Sequence, residues 1–454
     1  MAILDEARTH LEKAIEINPE FAQARLALAT LHHKQGNRSE AIQLLREAID
    51  ARPTLSDARL LLAEVLLEDG QEAEAVALLQ ETANIDPNDH LARRCLAFIL
   101  MAKEETKRAA DLFTRVVELD PLDGEAHLQL AILLEHPDDF QRAILLFQIA
   151  SDLMPEDPRP PYQMALLLLR GEYTDEEGNL VKTPDPKTAI KHLLEAVRLN
   201  TGHGLAHLLL GQILREDGDA RAARRHFKLA IEDKLSAGCA NLELARLEVE
   251  ADKDAIARRF LDQAIKYAES REMALCERAD FFARNGKPKR AEEDLRNAAK
   301  GFADIERKLF EDSDSASDKT NFARARRLHE EALDSRRLKG PVWWRLGEIR
   351  SSEGKASEAI MFFKQAIEAD PGLDDARFAL AVLLENIGQD EEADMQLSAV
   401  IETNWSHAEA HFRIGERALA ANDLQKAEMH FLIVTDIVPN HPEAKKRLKK
   451  LRAK

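Results

Sequence analysis

The chain has 454 residues, of which 45% are hydrophobic and 32% charged, and its formal net charge is −18. A single core stops growing near about 250–300 residues, so one compact globule is excluded in favour of several domains or an elongated array. This composition excludes wholesale disorder, and the acidity opposes broad binding to nucleic acid or anionic membrane. Glycine (18) and proline (16) are sparse and aromatics make up only 5%, while Ala, Leu, Glu and Arg abound, which argues for helices. Cys95, Cys239 and Cys276 lie far apart with no CxxC pair. That excludes a disulfide framework and a cysteine zinc site, and fits a reducing, cytoplasmic compartment. No apolar run is long enough to span a bilayer, and Asp5, Glu6 and Arg8 interrupt any signal-peptide start.

A repeat runs through the chain. Pro19, Pro53, Pro87, Pro121 and Pro155 are each 34 residues apart, and Pro371 and Pro439 are separated by 68. Twelve residues before these prolines stands an alanine column: Ala7, Ala41, Ala75, Ala109, Ala143, Ala189, Ala223, Ala257, Ala291, Ala325, Ala359, Ala393 and Ala427. The step is 34 throughout except for one of 46. Four residues further on, Leu or Phe recurs (Leu45, Phe113, Phe227, Phe363, Phe431), broken only by His329, and a third, mostly Ala column follows after three more. Spacings of 4 and 3 place all three columns on one stripe of a helix, here termed B. Ahead of it a helix A carries a Leu–Ala or Leu–Gly pair, as in Leu62-Ala63 and Leu346-Gly347, and ends near a glycine such as Gly70 or Gly354.

A 34-residue helix–turn–helix unit with these small and large columns resembles the tetratricopeptide repeat. The resemblance implies an all-α solenoid, a right-handed superhelix with A helices lining a concave groove, and a mostly non-catalytic role in holding peptides or partner proteins. In chain order we expect a leading half repeat (1–19), an N-terminal array (20–170), an inserted hairpin or loop (171–186) and a central array (187–310). A degenerate acidic joint (311–320), a C-terminal array (321–439) and a basic capping helix (440–454) complete the chain. A start inside a repeat suggests an upstream segment. The alternative function is therefore a regulatory or assembly region of a larger enzyme or of a membrane-associated secretion machine.

Three departures stand out. The 12-residue excess between Ala143 and Ala189 reads as a β-hairpin over 172–183 that turns near Gly178-Asn179. Asp175, Glu177 and Asn179 alternate as in a calcium loop, but the other ligand positions are missing. The helix A expected near 306–319 has Asp312-Ser313 in place of its Leu–Ala pair, so poor packing and a weak joint are expected there, still within a repeat slot. Ser313, Ser315 and Ser317 lie in that acidic run. Lastly, Lys445, Lys446, Arg447, Lys449, Lys450, Arg452 and Lys454 suit a helix C-terminus through the macrodipole.

No catalytic constellation is found. His203/His207 and His407/His411 have the i, i+4 spacing of zinc helices, yet no HExxH order or third ligand accompanies them. No metal and no cofactor are expected. The groove itself is read from the resemblance. Its aromatic column ends in Phe310, Trp344, Phe378 and Phe412, flanked by Glu348, Asp375, Glu409 and Glu416, which suits a peptide or protein partner with basic and apolar residues. A second, apolar stretch carries Phe98, Met101, Tyr162, Leu166 and Leu169. The Lys, Arg and Asn positions that clamp a terminal carboxylate in chaperone-tail-binding relatives hold Leu, Glu and aromatics here.

Overall fold

Residues spaced 3 and 4 apart share one helical face, and in the B helices that face is fully buried: Ala41, Leu45 and Ala48 are each 0% exposed. The computed structural model describes residues 2–134, 136–174, 180–318 and 322–451. Consecutive helices pack on one another in two compact units, Met1–Gly218 and Asp219–Lys454, as an all-α solenoid.

The first unit opens with α1 (Ala2–Ile17), followed by the pairs α2 (Ala22–Lys34) and α3 (Arg38–Ala51), and α4 (Ser56–Glu68) and α5 (Glu72–Ile85). Next come α6 (His90–Ala102) and α7 (Thr106–Leu119), α8 (Gly124–Leu133) and α9 (Phe140–Leu153), α10 (Arg159–Arg170) and α11 (Pro186–Leu199), and then α12 (Gly204–Glu216). The second unit holds α13 (Ala220–Ala230), α14 (Ala237–Glu250), α15 (Asp254–Ala264), α16 (Arg271–Arg284), α17 (Pro288–Asp318) and α18 (Phe322–Ser352). It closes with α19 (Ala356–Ala369), α20 (Asp374–Asn386), α21 (Asp390–Thr403), α22 (Ala408–Ala420), α23 (Leu424–Ile437) and α24 (Pro442–Leu451). The units differ in charge. The first carries 22 Lys and Arg against 38 Asp and Glu, a net of −16, and the second carries 42 against 44, a net of −2.

The columns explain the packing. Phe113, Phe227, Phe363 and Phe431 are the largest fully buried side chains, each worth about 1.5–3 kcal/mol of transfer free energy. The facing helix must be small at that point. A Cβ on Gly347 would come within 2.5 Å of the Phe363 ring. Side chains cap the helices that follow the turns: Asp89, Asp123, His203 and His407 each accept an N–H three residues on, which satisfies an otherwise orphaned donor.

The inserted segment forms the expected hairpin. Strand β1 (Glu172–Thr174) pairs antiparallel with β2 (Leu180–Lys182), and Tyr173 packs 5.7 Å from the Phe140 ring. Gly171 enters it at φ +58°, where a Cβ would strike the backbone of Pro184 at 2.5 Å. The Gly178-Asn179 turn and the Asp175–Asn179 alternation lie outside the described residues.

The segment 306–335 departs from expectation. Where the period would place turn prolines stand Ala303 and Arg337. The helices continue through both points, α18 also through Gly340-Pro341, so α17 and α18 each run for 31 residues. Their outer halves pair with each other. Ser313 Oγ donates to Ala325 O at 2.7 Å and Ser335 Oγ to Phe302 O at 3.2 Å, while Glu306 pairs with Arg336 at 2.6 Å and with Lys339. A small core of Leu309, Ala316, Ala325 and Leu328 comes from these two helices alone. Their inner halves, through Phe302, Val342 and Leu346, join the core of α14–α16. The acidic run is therefore helical through Asp318, with Ser313 only 6% exposed. Its hydroxyl serves a backbone carbonyl of α18 where the other repeats use a Leu–Ala contact.

Candidate functional site

Two clefts gather side chains that ordinary packing leaves open. The larger lies in the first unit between α4 and α6. Helix α4 reads Ser-Asp-Ala-Arg-Leu-Leu-Leu-Ala-Glu-Val-Leu-Leu-Glu, apolar on more than one face. One face enters the core through Leu62, Ala63, Val65 and Leu66. The other, through Leu60, Leu61 and Leu67, lines a cavity of about 770 Å³ together with Cys95, Phe98 and Ile99 of α6. Leu67 and Phe98 are each 37% exposed, and the Phe98 ring sits edge-on to Phe113 at 5.3 Å. Burial raises the Cys95 thiol pKa, so that wall is uncharged.

The rim of this cleft is acidic: Asp57, Glu64, Glu68 and Glu72. Glu68 is held by Arg38 and His33, each at 3.1 Å, and these hydrogen bonds lower its pKa. Glu72 pairs with Lys103 at 2.5 Å. Asp57 and Glu64 have no ion-pair partner among the described residues.

Of the apolar stretch read from sequence, only Phe98 lines this cleft. Leu166 lines a separate cavity of about 190 Å³ with Ile132 and Gln163. Met101 packs between two core clusters, and Tyr162 and Leu169 pack on the core of α10–α12. The Tyr162 ring lies 4.6 Å from the capping His203 ring, and burial raises its phenol pKa.

The second cleft lies between α18 and α20. It brings together Trp344, Glu348, Asp375 and Phe378 around a cavity of about 320 Å³, with Ser351, Val382 and Asn386 completing the wall. Burial against this wall, and then the like charge of Asp375, raise the Glu348 pKa. Neither carboxylate has an ion-pair partner among the described residues.

The remaining residues of the aromatic column are engaged by the protein itself. Phe310 lies on the paired outer halves of α17 and α18, 5.2 Å from His329, with the Arg336 guanidinium 5.5 Å over its ring. Phe412 packs on Phe431 and on His441, the capping residue of α24, at 5.7 and 5.0 Å. Glu416 is bound by Arg447 of α24 at 2.7 Å. Glu409 lies 3.5 Å from Arg413, which also binds Glu385 at 2.7 Å and covers the Phe378 face at 5.6 Å. The column thus contributes one open aromatic, Trp344, and one, Phe378, whose face is already covered. Sequence reading missed the Leu60, Leu61 and Leu67 wall, although the two-faced apolar pattern of α4 marks it.

The histidine pairs have structural roles. His207 Nε2 meets Thr201 O at 3.2 Å and His411 Nε2 meets Trp405 O at 3.0 Å. His411 Nδ1 faces His430 Nδ1 at 2.9 Å, both rings buried. Because a carbonyl only accepts, the His411 proton sits on Nε2, so His430 Nδ1–H donates to the bare His411 Nδ1. Burial lowers both pKa values, that of His430 to about 4.

Family models described as tetratricopeptide repeat match residues 4–47, 32–97 and 350–411 in one case, and residues 97–158, 180–237 and 313–374 in another. The chain belongs to the tetratricopeptide repeat family. No curated protein matches it. Among solved structures, this tetratricopeptide repeat chain is similar to a human IFIT1 dimer with m7Gppp-AAAA at 16% identity and a TM-score of 0.46, covering 99% of this chain and 95% of that one. It is similar to yeast Tom70 at 16% identity and a TM-score of 0.42, covering 100% and 92%. It is also similar to YrrB, titled a TPR protein with an unusual peptide-binding site, at 20% identity and a TM-score of 0.35, covering 43% and 95%. Among the described residues no helix is long and apolar enough to cross a membrane.

Proposed function

We propose that this tetratricopeptide repeat protein is a non-catalytic interaction scaffold that holds partner segments combining bulky apolar anchors with Lys or Arg. The observation that carries this reading is the α4–α6 cleft, whose leucine and phenylalanine walls enclose about 770 Å³ beneath the unpaired carboxylates Asp57 and Glu64. Burying an anchor there returns about 25 cal/mol per Å² of apolar surface. The carboxylates reject acidic ligands and favour cations near the anchor. Trp344, Glu348 and Asp375 offer the same pairing of apolar wall and negative charge in the second unit.

The test is selection of a random peptide library on the immobilised chain. Enriched peptides are expected to pair Leu, Phe or Trp with nearby Lys or Arg, and to lose binding to a Leu67→Asp, Phe98→Asp variant of unchanged helicity. No enrichment, or enrichment that survives both substitutions, rejects the reading.

A further inference from the structure

The outward face of the last three B helices carries two aligned rows that neither cleft uses. Met361, Met395 and Met429 occupy one repeat position in α19, α21 and α23, and are 47%, 68% and 50% exposed. Each lies two residues from both members of its buried stripe, for example Ala359 and Phe363, and so about 200° away on the helix. Of the ten earlier B helices, eight hold a polar or charged residue at this position, and two hold Ala77 and the exposed Leu145. Three of the eight methionines of the chain thus form an exposed apolar row confined to one end. Scattered exposed apolar residues are ordinary, but a row in register across neighbouring helices is not.

Seven residues on, about 10.5 Å along each helix and on the same face, stand Glu368, Glu402 and Asp436. All three are exposed and have no ion-pair partner among the described residues. The outer surfaces of α19 and α21 adjoin, because Lys364 pairs with Glu392 at 2.6 Å.

We propose that this face docks one amphipathic helix of a partner protein, apolar along one stripe and rich in Lys or Arg along its flank. A partner heptad rises about 10.5 Å, and α19 and α21 stand close enough for Lys364 to reach Glu392, so apolar residues seven apart on the partner can follow successive methionines. Flexible thioethers accommodate varied apolar side chains. The acidic row fixes the sign of the flank and the orientation of the helix on the face. This surface is separate from both clefts.

The probe is a synthetic helical peptide of about 20 residues, three heptads with Leu on one stripe and Lys on its flank, titrated against the full chain. A scrambled peptide of the same composition, lacking the stripe, measures charge attraction alone. Replacing Met361, Met395 and Met429, all exposed, together by Ser is expected to weaken binding at least about tenfold. Glu368→Gln, Glu402→Gln, Asp436→Asn is expected to weaken it less and to flatten its salt dependence. All titrations are read in the Leu67→Asp, Phe98→Asp background, which removes the cleft as a competing site, and there the methionine methyl NMR signals of these three residues should shift on binding. Equal affinity for the scrambled peptide, equal affinity in the serine variant, or unmoved methionine signals overturns the proposal.

Discussion

Helices α4–α7 and helices α17–α18 share the same alanine column, through Ala75 and Ala109 in the first case and Ala291 and Ala325 in the second, yet they fold differently. In the first region Pro87 ends the pair and the chain turns back into the stack. In the second, two helices run on past Ala303 and Arg337 for 31 residues each, and one repeat's worth of chain pairs with itself. The comparison separates two roles that periodicity merges. The small and large columns decide which faces meet, but a proline at the turn position does not alone decide where the chain reverses: it turns at Leu235, Glu269 and Trp405 without one, and α18 runs through Pro341.

The largest expected effect lies in the regular region. Phe113 is fully buried, so Phe113→Ala should cost about 3–5 kcal/mol in denaturant unfolding. Leu328→Ala, in the small core of the paired outer halves, should lower protection from hydrogen exchange only within α17 and α18. Global destabilisation from Leu328→Ala would show that this pair is integrated into the stack.

Ala303→Pro comes next. It forces a break within α17 and should cost about 3 kcal/mol or more, with loss of helicity beyond residue 303 by circular dichroism. A third contrast uses pH. His411 and His430 are neutral when folded, with pKa values below the ordinary 6.5. Their contribution is complete above pH 6.5 and drains as pH falls toward about 4, since the unfolded chain then binds protons that the folded one refuses. His407 and Lys426 add positive charge nearby and act in the same direction. The loss is on the order of 3 kcal/mol at the acid end. Protection factors in α22–α23 should fall between pH 7 and 5, while the hydroxyl–carbonyl bonds of Ser313 and Ser335 hold. His430→Phe should reduce the pH dependence to the part that buried His411 carries.

Smallest are Ser313→Ala, about 1 kcal/mol from one buried hydrogen bond, and Pro87→Ala, below about 1 kcal/mol because it acts mainly on the unfolded chain.

Much of the fold is legible in the residues. The helix pairs follow from the Ala and Leu or Phe columns, and the β-hairpin from the 12-residue excess before Ala189. The fused helices escape because the alanine phase survives them. The missing prolines at 303 and 337 do not mark them, because Leu235, Glu269 and Trp405 also stand where the period would place proline and the chain turns there. At the clefts, Trp344, Glu348, Asp375 and Phe378 share one wall, as their repeat positions place them. The covering of Phe378 by Arg413, and of Glu416 by Arg447, depends on long side chains reaching between helices. Repeat position alone does not encode that reach. The methionine row is visible at its 34-residue spacing, but its exposure is a property of the folded surface.

The unequal division of charge, −16 in one unit and −2 in the other, makes the protein a directional target for a diffusing cation-rich partner. At low ionic strength the field around residues 1–218 draws such a partner in before any contact forms, and added salt slows that capture steeply. Encounters with residues 219–454 lack this long-range pull. Association rates with residues 1–218 and with residues 219–454 should therefore respond to salt by different slopes even where the final affinities agree.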